Sequence, residues 1–249
     1  MNRLAVLSDV HGNLPALEAV VADLSGREVD RVVNLGDHLS GPLWPQETAD
    51  FLMGCDWVHI LGNHDRWMAY QDPAQHGPSD KYAYAHTAGA ARAWLASLPA
   101  RVELEGGLLL FHGTPADDNA YLLETVADSR ARLADPDEVR ARLGGATAPV
   151  VLCGHSHVPR LVRRPDGRLA LNPGSVGLQA YDDTGPEPHV IENGSPHARY
   201  AVLERQEGGW RAEFVLVSYD HESAAAQARR NGRPDWASAL RTGYFQGGA

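Results

Sequence analysis

Short apolar runs alternate with segments of helical periodicity along most of the chain. Five runs predict buried strands at residues 4–7, 32–35, 57–61, 108–111 and 150–153. Between the first two, apolar residues repeat at helical spacing behind Asn13, a predicted N-cap. Strand, helix and strand at this length indicate a parallel βαβ unit with a right-handed crossover. The interleaving favours a single mixed α/β domain over residues 1–249.

The rest of the pattern predicts helices, hairpins and two irregular segments. Helices are expected at 46–53, 88–98, 121–133 and from Asp135 onward, where Pro136 and Glu138 complete a capping box. Antiparallel hairpins are expected within 101–111, 160–171 and 198–217. Residues 66–86 are expected to form a loop or small cap, and residues 181–197 a long loop. Residues 220–249 are expected to form a weakly helical tail that is interrupted at 232–234.

Metal-binding side chains follow the predicted strands in five short polar segments. These are Asp9-Val10-His11, Gly36-Asp37, Gly62-Asn63-His64-Asp65, His112-Gly113 and Gly154-His155-Ser156-His157. Asp9 and His11 are two residues apart at a strand end, so both side chains point to the same side. One such pair arises by chance, but five segments at successive strand exits indicate a metal site at one sheet edge.

The composition of the chain indicates which classes of partner and which cellular location to expect. The formal charge of −10 disfavours a nucleic-acid partner, and the nearest approach to a basic patch, Arg160 to Arg168, is better explained as a solvated hairpin face. No run of eighteen apolar residues predicts a membrane span. The two cysteines, Cys55 and Cys153, do not suggest disulfides, and the N-terminus lacks the form of a signal peptide. A cytoplasmic protein is therefore expected.

The five segments resemble the signature of the calcineurin-like metallophosphoesterases. The resemblance runs from residue 5 to about residue 177, and it includes Asn172-Pro173-Gly174-Ser175, which is typical of small prokaryotic members. It implies a four-layer α-β-β-α sandwich with two central mixed sheets and a two-metal site at the strand ends. It also implies a hydrolase of phosphoric esters that prefers phosphodiesters to monoesters. The C-terminal tail is only loosely similar.

The resemblance also assigns roles to the residues of the site. One ion would be held by Asp9, His11 and His157, the other by Asn63, His112 and His155, with Asp37 bridging them. These donors suit manganese, iron or zinc, and two dications about 3.5–4 Å apart need a shared anion to offset their repulsion. A hydroxide between the ions would attack phosphorus, and His64, which is beside a ligand without being one, would act as the general acid.

Three residues are weaker candidates for substrate contact. Asn13 is better explained as the helix N-cap, Arg66 is equally explained by a surface ion pair, and His38 by support of the neighbouring Asp37 or by plain exposure. Protein phosphatases of the superfamily carry a second Asp and an Arg soon after the Gly-Asp motif, and this chain does not. The group that orients His64 is therefore unidentified, and a phosphoprotein substrate is disfavoured.

Two other functions remain open. The protein could be a monoesterase acting on a small phosphorylated metabolite, or a non-catalytic interaction module with the same fold. Such modules tend to lose metal ligands, whereas all seven donors and His64 are present here. The expected partner is a small phosphoester, for which a nucleotide-type substrate is one option. The oligomeric state is expected to be a monomer or a homodimer.

Overall fold

A computed structural model describes residues 2–246. The strands and the helices are each numbered in the order in which they occur along the chain. The strands are β1 (Arg3–Leu7), β2 (Arg31–Asn34), β3 (Val58–His59), β4 (Arg101–Leu104), β5 (Leu108–Phe111), β6 (Glu124–Ala127), β7 (Arg130–Leu133), β8 (Val150–Leu152), β9 (Arg160–Arg163), β10 (Leu169–Asn172), β11 (Ala180–Asp183), β12 (His189–Glu192), β13 (Ala198–Gln206) and β14 (Gly209–Val217). The helices are α1 (Leu14–Leu24), α2 (Pro45–Met53), α3 (Asn63–Tyr70), α4 (Pro78–Ala85), α5 (Gly89–Ser97), α6 (Pro136–Leu143), α7 (His221–Arg230) and α8 (Pro234–Thr242).

The strands form three mixed sheets. The first has the order β14-β13-β1-β2-β3, and its last three strands are parallel. The second has the order β4-β5-β8-β10-β9, and its three central strands are parallel. The smaller third sheet has the order β11-β12-β7-β6. The predicted mixed α/β class is confirmed, and the third sheet is an addition to the two that were expected.

The residues of β1 show how the layers are built. Leu4 and Val6 point into the core between the two five-stranded sheets, whereas Ala5 and Leu7 point outward, where α1 packs. On the far side of the second sheet, Val139 of α6 packs against the outward face. Helix, sheet, sheet and helix therefore stack as the four expected layers. Each fully buried aliphatic side chain in them contributes about 1.5–3 kcal/mol.

Several local predictions are confirmed. β1, α1 and β2 form the parallel βαβ unit, and the Asn13 side chain accepts a hydrogen bond from the Ala16 amide at the start of α1. Asp135 and Glu138 form the capping box of α6. The three predicted hairpins are present, with antiparallel pairing of β4 with β5, β9 with β10 and β13 with β14. Local capping and alternation are sufficient to specify these elements.

The predicted helix at 121–133 is wrong. This segment forms the hairpin of β6 and β7, in which Ala127 pairs with Arg130 across a two-residue turn. Asp128 and Ser129 in that turn both have positive φ, at 51° and 59°. Two successive left-handed residues are the signature of the type I′ turn, whose twist matches that of paired strands. The turn chemistry outweighed the weak helical spacing of the apolar residues.

The predictions for two irregular segments also need correction. Residues 66–86 are mostly helical, because α3 extends to Tyr70 and α4 begins with Pro78 at its first position. Residues 181–197 contain the hairpin of β11 and β12 rather than a long loop. The tail forms α7 and α8 on either side of the predicted break, and residues 247–249 of that prediction lie outside the described residues. The single-domain organisation stays a prediction.

No helix within residues 2–246 combines the length and the apolar character that a membrane crossing requires.

Candidate metal centre

The polar segments after five strands converge on one edge of the stacked sheets. β1, β2 and β3 run parallel in the first sheet, and β5 and β8 run parallel in the second, so their carboxyl ends present their loops together. The structure thereby forms two groups of ligand atoms, each within 4.8 Å of one another: Asp9 with His11 and His157, and Asp37 with His112 and His155. All six residues come from segments identified in the sequence.

The carboxylates of Asp37 and Asp9 lie between the two groups. Asp37 Oδ2 is 3.2 Å from His112 Nε2 in its own group and 4.0 Å from His11 Nε2 in the other. Asp9 Oδ1 is 3.4 Å from His157 Nε2 and 3.9 Å from His112 Nε2. Each carboxylate therefore reaches imidazoles of both groups. This is the placement that a bridging ligand requires.

Hydrogen bonds to backbone carbonyls orient three of the imidazoles. The Nδ1 atoms of His11, His112 and His157 lie 2.8, 2.6 and 2.8 Å from the carbonyl oxygens of Ser40, Leu35 and Leu178, respectively. A carbonyl can only accept, so each Nδ1 carries the hydrogen and donates it. When such a ring is neutral, its Nε2 lone pair faces the centre, which is how metal-binding histidines are commonly held.

Unpartnered buried atoms test whether these residues fit divalent metals. Asp9 Oδ1, Asn63 Oδ1 and His112 Nε2 are buried and have no hydrogen-bond partner within residues 2–246. Buried polar atoms are nearly always satisfied, and leaving one unpaired costs about 1–3 kcal/mol. Asp9 Oδ1 and His112 Nε2 lie 3.9 Å apart, Asn63 lines the adjacent cavity, and all three atoms are good donors to borderline ions such as manganese, iron or zinc. The donor set therefore fits divalent metal ions.

Burial and neighbouring charged groups shift the pKa values of the histidines in the centre. Burial, with the neighbouring His157, lowers the pKa of His11 to about 4, and burial with His112 lowers the pKa of His155 to about 4. Both rings are therefore neutral at pH 7, as metal ligands must be. Burial opposes protonation of His112 as well, but the Asp37 charge outweighs it and raises its pKa to about 10.

Backbone strain is concentrated at the same positions. Left-handed φ is uncommon for residues other than glycine, and it recurs at functional sites where the surrounding fold enforces it. Gly36, which precedes Asp37, has φ 102°, and a Cβ there would lie 2.6 Å from the Gly62 nitrogen. The loops of Asp37 and Asn63 can therefore approach only through glycine. Five predicted donors adopt positive φ between 52° and 68°: Asp9, His11, Asp37, His155 and His157.

His64 lies beside the centre and has a carboxylate partner that the sequence did not identify. Its Nδ1 is 2.7 Å from Asp80 Oδ1, which comes from the first turn of α4, and 3.3 Å from Ser40 Oγ. Burial opposes the charged ring, yet the Asp80 and Asp37 charges outweigh it and raise the pKa of His64 to about 9. The ring is thus protonated at neutral pH. With Nδ1 held by Asp80, Nε2 remains for a ligand in the cavity.

Asp65 connects the loop after β2 with the loop after β3. Its carboxylate accepts hydrogen bonds from the backbone amides of Asp37 at 2.8 Å, His38 at 2.9 Å and Gly62 at 3.0 Å. It also lies 2.7 Å from His38 Nδ1, while His38 Nε2 is 3.2 Å from His59 Nδ1. His38 is fully buried. This arrangement gives His38 a supporting place behind Asp37.

A cavity of about 560 Å³ opens above the centre. Its lining includes five of the predicted metal ligands, His11, Asp37, Asn63, His155 and His157, together with His64, Asn119, Tyr181 and Trp236. Arg66 is held in a bidentate pair with Asp118 at 2.7 Å, and it is not one of the lining residues. Asn13 is buried, where its carboxamide caps α1 and donates to the Gly177 carbonyl at 2.8 Å. Neither Arg66 nor Asn13 is placed by the structure at the cavity wall.

The sequence analysis missed the residues that complete the cavity. Asp80 lay in a segment predicted to be irregular, although Pro78 followed by an acidic residue is a recognisable helix start. Tyr121 and Tyr181, whose hydroxyl oxygens are 2.7 Å apart, lie beside His155 and His157. Trp236 comes from α8 in the tail. No sequence spacing connects these residues with the metal-binding segments, because only the tertiary fold brings them together.

The chain is similar to proteins of one known superfamily. Residues 2–191 match the calcineurin-like phosphoesterase superfamily domain, and the chain belongs to that superfamily. It is 25% identical over 248 residues to the uncharacterized protein MJ0912 of Methanocaldococcus jannaschii, with 94% of each chain covered. It is also 25% identical to a metallophosphoesterase from Sphaerobacter thermophilus, whose crystal structure superposes with a TM-score of 0.74 over 97% of this chain and 99% of that one. Membership of this superfamily indicates that the protein is a metal-dependent phosphoester hydrolase.

Proposed function

We propose that the protein hydrolyses a phosphodiester with the help of two divalent metal ions. The observation that carries this proposal is the pair of ligand groups with Asp37 in reach of both. Asp9, His11 and His157 would hold one ion, Asn63, His112 and His155 the other, and Asp37 would be shared. Two bound ions supply Lewis acidity and a nucleophilic oxygen at neutral pH. Manganese, iron and zinc all suit this donor set.

His64 acts as the general acid in this proposal. The leaving alcohol needs a proton, and a positioned acid contributes about 10²–10⁴-fold to such a step. Asp80 holds the ring through Nδ1 and favours its protonated form, so Nε2 can deliver the proton inside the cavity. The backbone amide of His64 donates to Asp37 Oδ1 at 3.0 Å, which ties the acid to the shared metal ligand.

The charges around the cavity favour a diester over a monoester. A monoester dianion carries one more negative charge than a diester, and it is commonly bound with the help of an unpaired guanidinium. Among the described lining residues, Arg233 provides the guanidinium, and it is paired with Asp235 at 2.6 Å. Arg66 is paired with Asp118 in the same way. The single negative charge of a diester is the better match for this wall.

The size of the cavity also accommodates a second ester group. Small-molecule sites occupy about 300–1,000 Å³, and the volume here of about 560 Å³ lies within that range. Tyr181 and Trp236 provide an apolar wall beside the centre, against which a nucleoside or another organic substituent can pack. A nucleotide-type diester is therefore included in the proposal as one substrate class.

The test compares two aryl substrates on the metal-loaded protein. We expect kcat/KM for bis(p-nitrophenyl) phosphate to exceed that for p-nitrophenyl phosphate by about tenfold or more. His155→Ala, which removes one ligand, is expected to abolish both activities. The opposite preference would establish the monoesterase alternative. A protein that binds its metals yet turns over neither substrate, nor any other of a broad phosphoester panel, would be the non-catalytic module.

A further inference from the structure

The C-terminal helices pack directly against the loops of the candidate metal centre. The Trp236 ring of α8 lies 6.0 Å from the His11 ring, centroid to centroid. A Cβ at Gly41 would lie 2.8 Å from Trp236 Cη2, so the loop after Asp37 has no free space against this ring. Asn231, just before α8, donates to the Pro42 carbonyl at 2.8 Å. The C-terminal segment therefore packs against the loops of the candidate metal centre.

Arg233 extends this contact to α4. Its Nε and Nη2 atoms donate to the Asp235 carboxylate at 3.0 and 2.6 Å, and this fork fixes the plane of the guanidinium. The remaining nitrogen, Nη1, donates to Ser79 Oγ at 2.8 Å. The side chain also lies over the Trp236 ring, with Cζ 5.7 Å from the centroid. Arg233 is therefore held on three sides and bridges two helices that are far apart in sequence.

Ser79 is the residue immediately before Asp80. Both lie in the first turn of α4, where the N-cap is Gly77 and no side chain caps the free amides. A first turn without a cap frays readily unless tertiary contacts hold it. Asp80 in this turn is almost fully buried and makes the 2.7 Å contact with His64. The hydrogen bond from Arg233 is thus a contact that can fix the position of Asp80.

We propose that Arg233 is a positioning residue, which holds the first turn of α4 through Ser79 so that Asp80 keeps His64 directed at the leaving group. The catalytic part of this inference rests on the proposed function. The Arg233 nitrogens donate to Asp235 and Ser79, so in this proposal its effect passes through Ser79 and Asp80. A misplacement of about 1 Å at a catalytic group can cost up to about 10²-fold in rate. Loosening this turn is therefore expected to slow the transfer of the proton from His64 to the leaving group.

Hydrogen exchange tests the structural part without using activity. In Arg233→Gln we expect the backbone amides of residues 79–85 to exchange about tenfold faster than in the parent protein, as loss of a charged hydrogen bond implies. Ser79→Ala should give the same increase, and the double variant should exchange no faster than either single variant. Arg241→Gln is the matched control, because Arg241 forms an ion pair with Glu222 at an exposed position on α8. Unchanged exchange of α4 in Arg233→Gln would overturn the proposal.

Kinetics on the metal-loaded protein test the catalytic part. Arg233→Gln is expected to slow a diester with an alkyl leaving group about tenfold and an activated aryl diester less than about twofold. Arg233→Lys, which can still donate to Ser79, should recover part of the difference, and metal content should not change. Equal losses on both diesters would refute the positioning role. If His64→Ala shows no such contrast, the proposed general acid fails as well, whereas the exchange result stands independently of it.

Discussion

Manganese is expected to raise the melting temperature of the metal-free protein strongly, and Asp37→Asn is expected to remove most of that rise. Asp37 lies within 3.2 Å of His112 Nε2 and 4.0 Å of His11 Nε2, so the loss of its charge affects both ligand groups. The substitution keeps the shape of the side chain. It therefore tests the electrostatic role of the carboxylate rather than its packing.

The size of the effect follows from the unpartnered atoms of the centre. Asp9 Oδ1, Asn63 Oδ1 and His112 Nε2 are buried without a hydrogen-bond partner within residues 2–246. At about 1–3 kcal/mol for each atom, metal coordination relieves a penalty of about 3–9 kcal/mol. For a chain of 249 residues, 1 kcal/mol corresponds to about 2–4 °C in melting temperature. The expected rise is therefore about 6–36 °C.

The assay is thermal unfolding of chelator-treated protein with and without excess manganese, together with elemental analysis of the bound metal. Manganese is preferred to zinc for this purpose, because zinc also binds the cysteines and histidines of the unfolded chain. Asp80→Asn serves as the control, since it makes the same chemical change at a buried carboxylate of the same cavity. We expect the control to retain the full rise and two bound ions.

Three outcomes would refute the reasoning. A rise of less than about 2 °C at saturating manganese would mean that the unpartnered atoms are not metal ligands. A rise in Asp37→Asn equal to that of the parent protein, with two ions still bound, would mean that Asp37 is not shared. Loss of a single ion in Asp37→Asn, without weakening of the other, would assign the carboxylate to one group only.

Three further perturbations test the surroundings of the centre. His64→Ala is expected to keep its metals but to lose about 10²–10⁴-fold in kcat on an alkyl diester and much less on an activated aryl diester, so equal losses would remove His64 from the acid role. Asp65→Ala removes the acceptor of the buried His38 ring and of three backbone amides, and it should lower the free energy of unfolding by about 3–5 kcal/mol. Urea titrations measure this loss, and a change below about 1 kcal/mol would contradict the bracing role. Burial, with the nearby His38, lowers the pKa of His59 to about 3, so only the unfolded chain takes up this proton as the pH falls below about 6.5. Stability should therefore decrease by up to about 1.4 kcal/mol per pH unit between about pH 6 and pH 4, and His59→Gln should flatten that slope, which denaturation at several pH values will measure.

Local signals account for the parts of the fold that were predicted correctly. The capping box at Asp135 and the alternation along β1 operate over a few residues, so they can be recognised without knowing the rest of the chain. The hairpin at 124–133 was missed because its turn, Asp128 and Ser129, lacks the glycine that usually marks a type I′ turn. α4 was missed because its residues show no clear apolar periodicity, although Pro78 followed by an acidic residue marks a helix start.

The sequence by itself identified the candidate metal-binding residues that the fold brings together and the edge of the sheets at which they meet. This was possible because parallel strands deliver the segments that follow them to a common edge, whatever the rest of the chain does. Only the tertiary structure decided that Asp37 lies between two ligand groups, that Asp80 holds His64, and that α8 closes the cavity with Arg233 and Trp236. Those relations join segments that are distant along the chain, and they depend on how helices and sheets pack rather than on any local spacing.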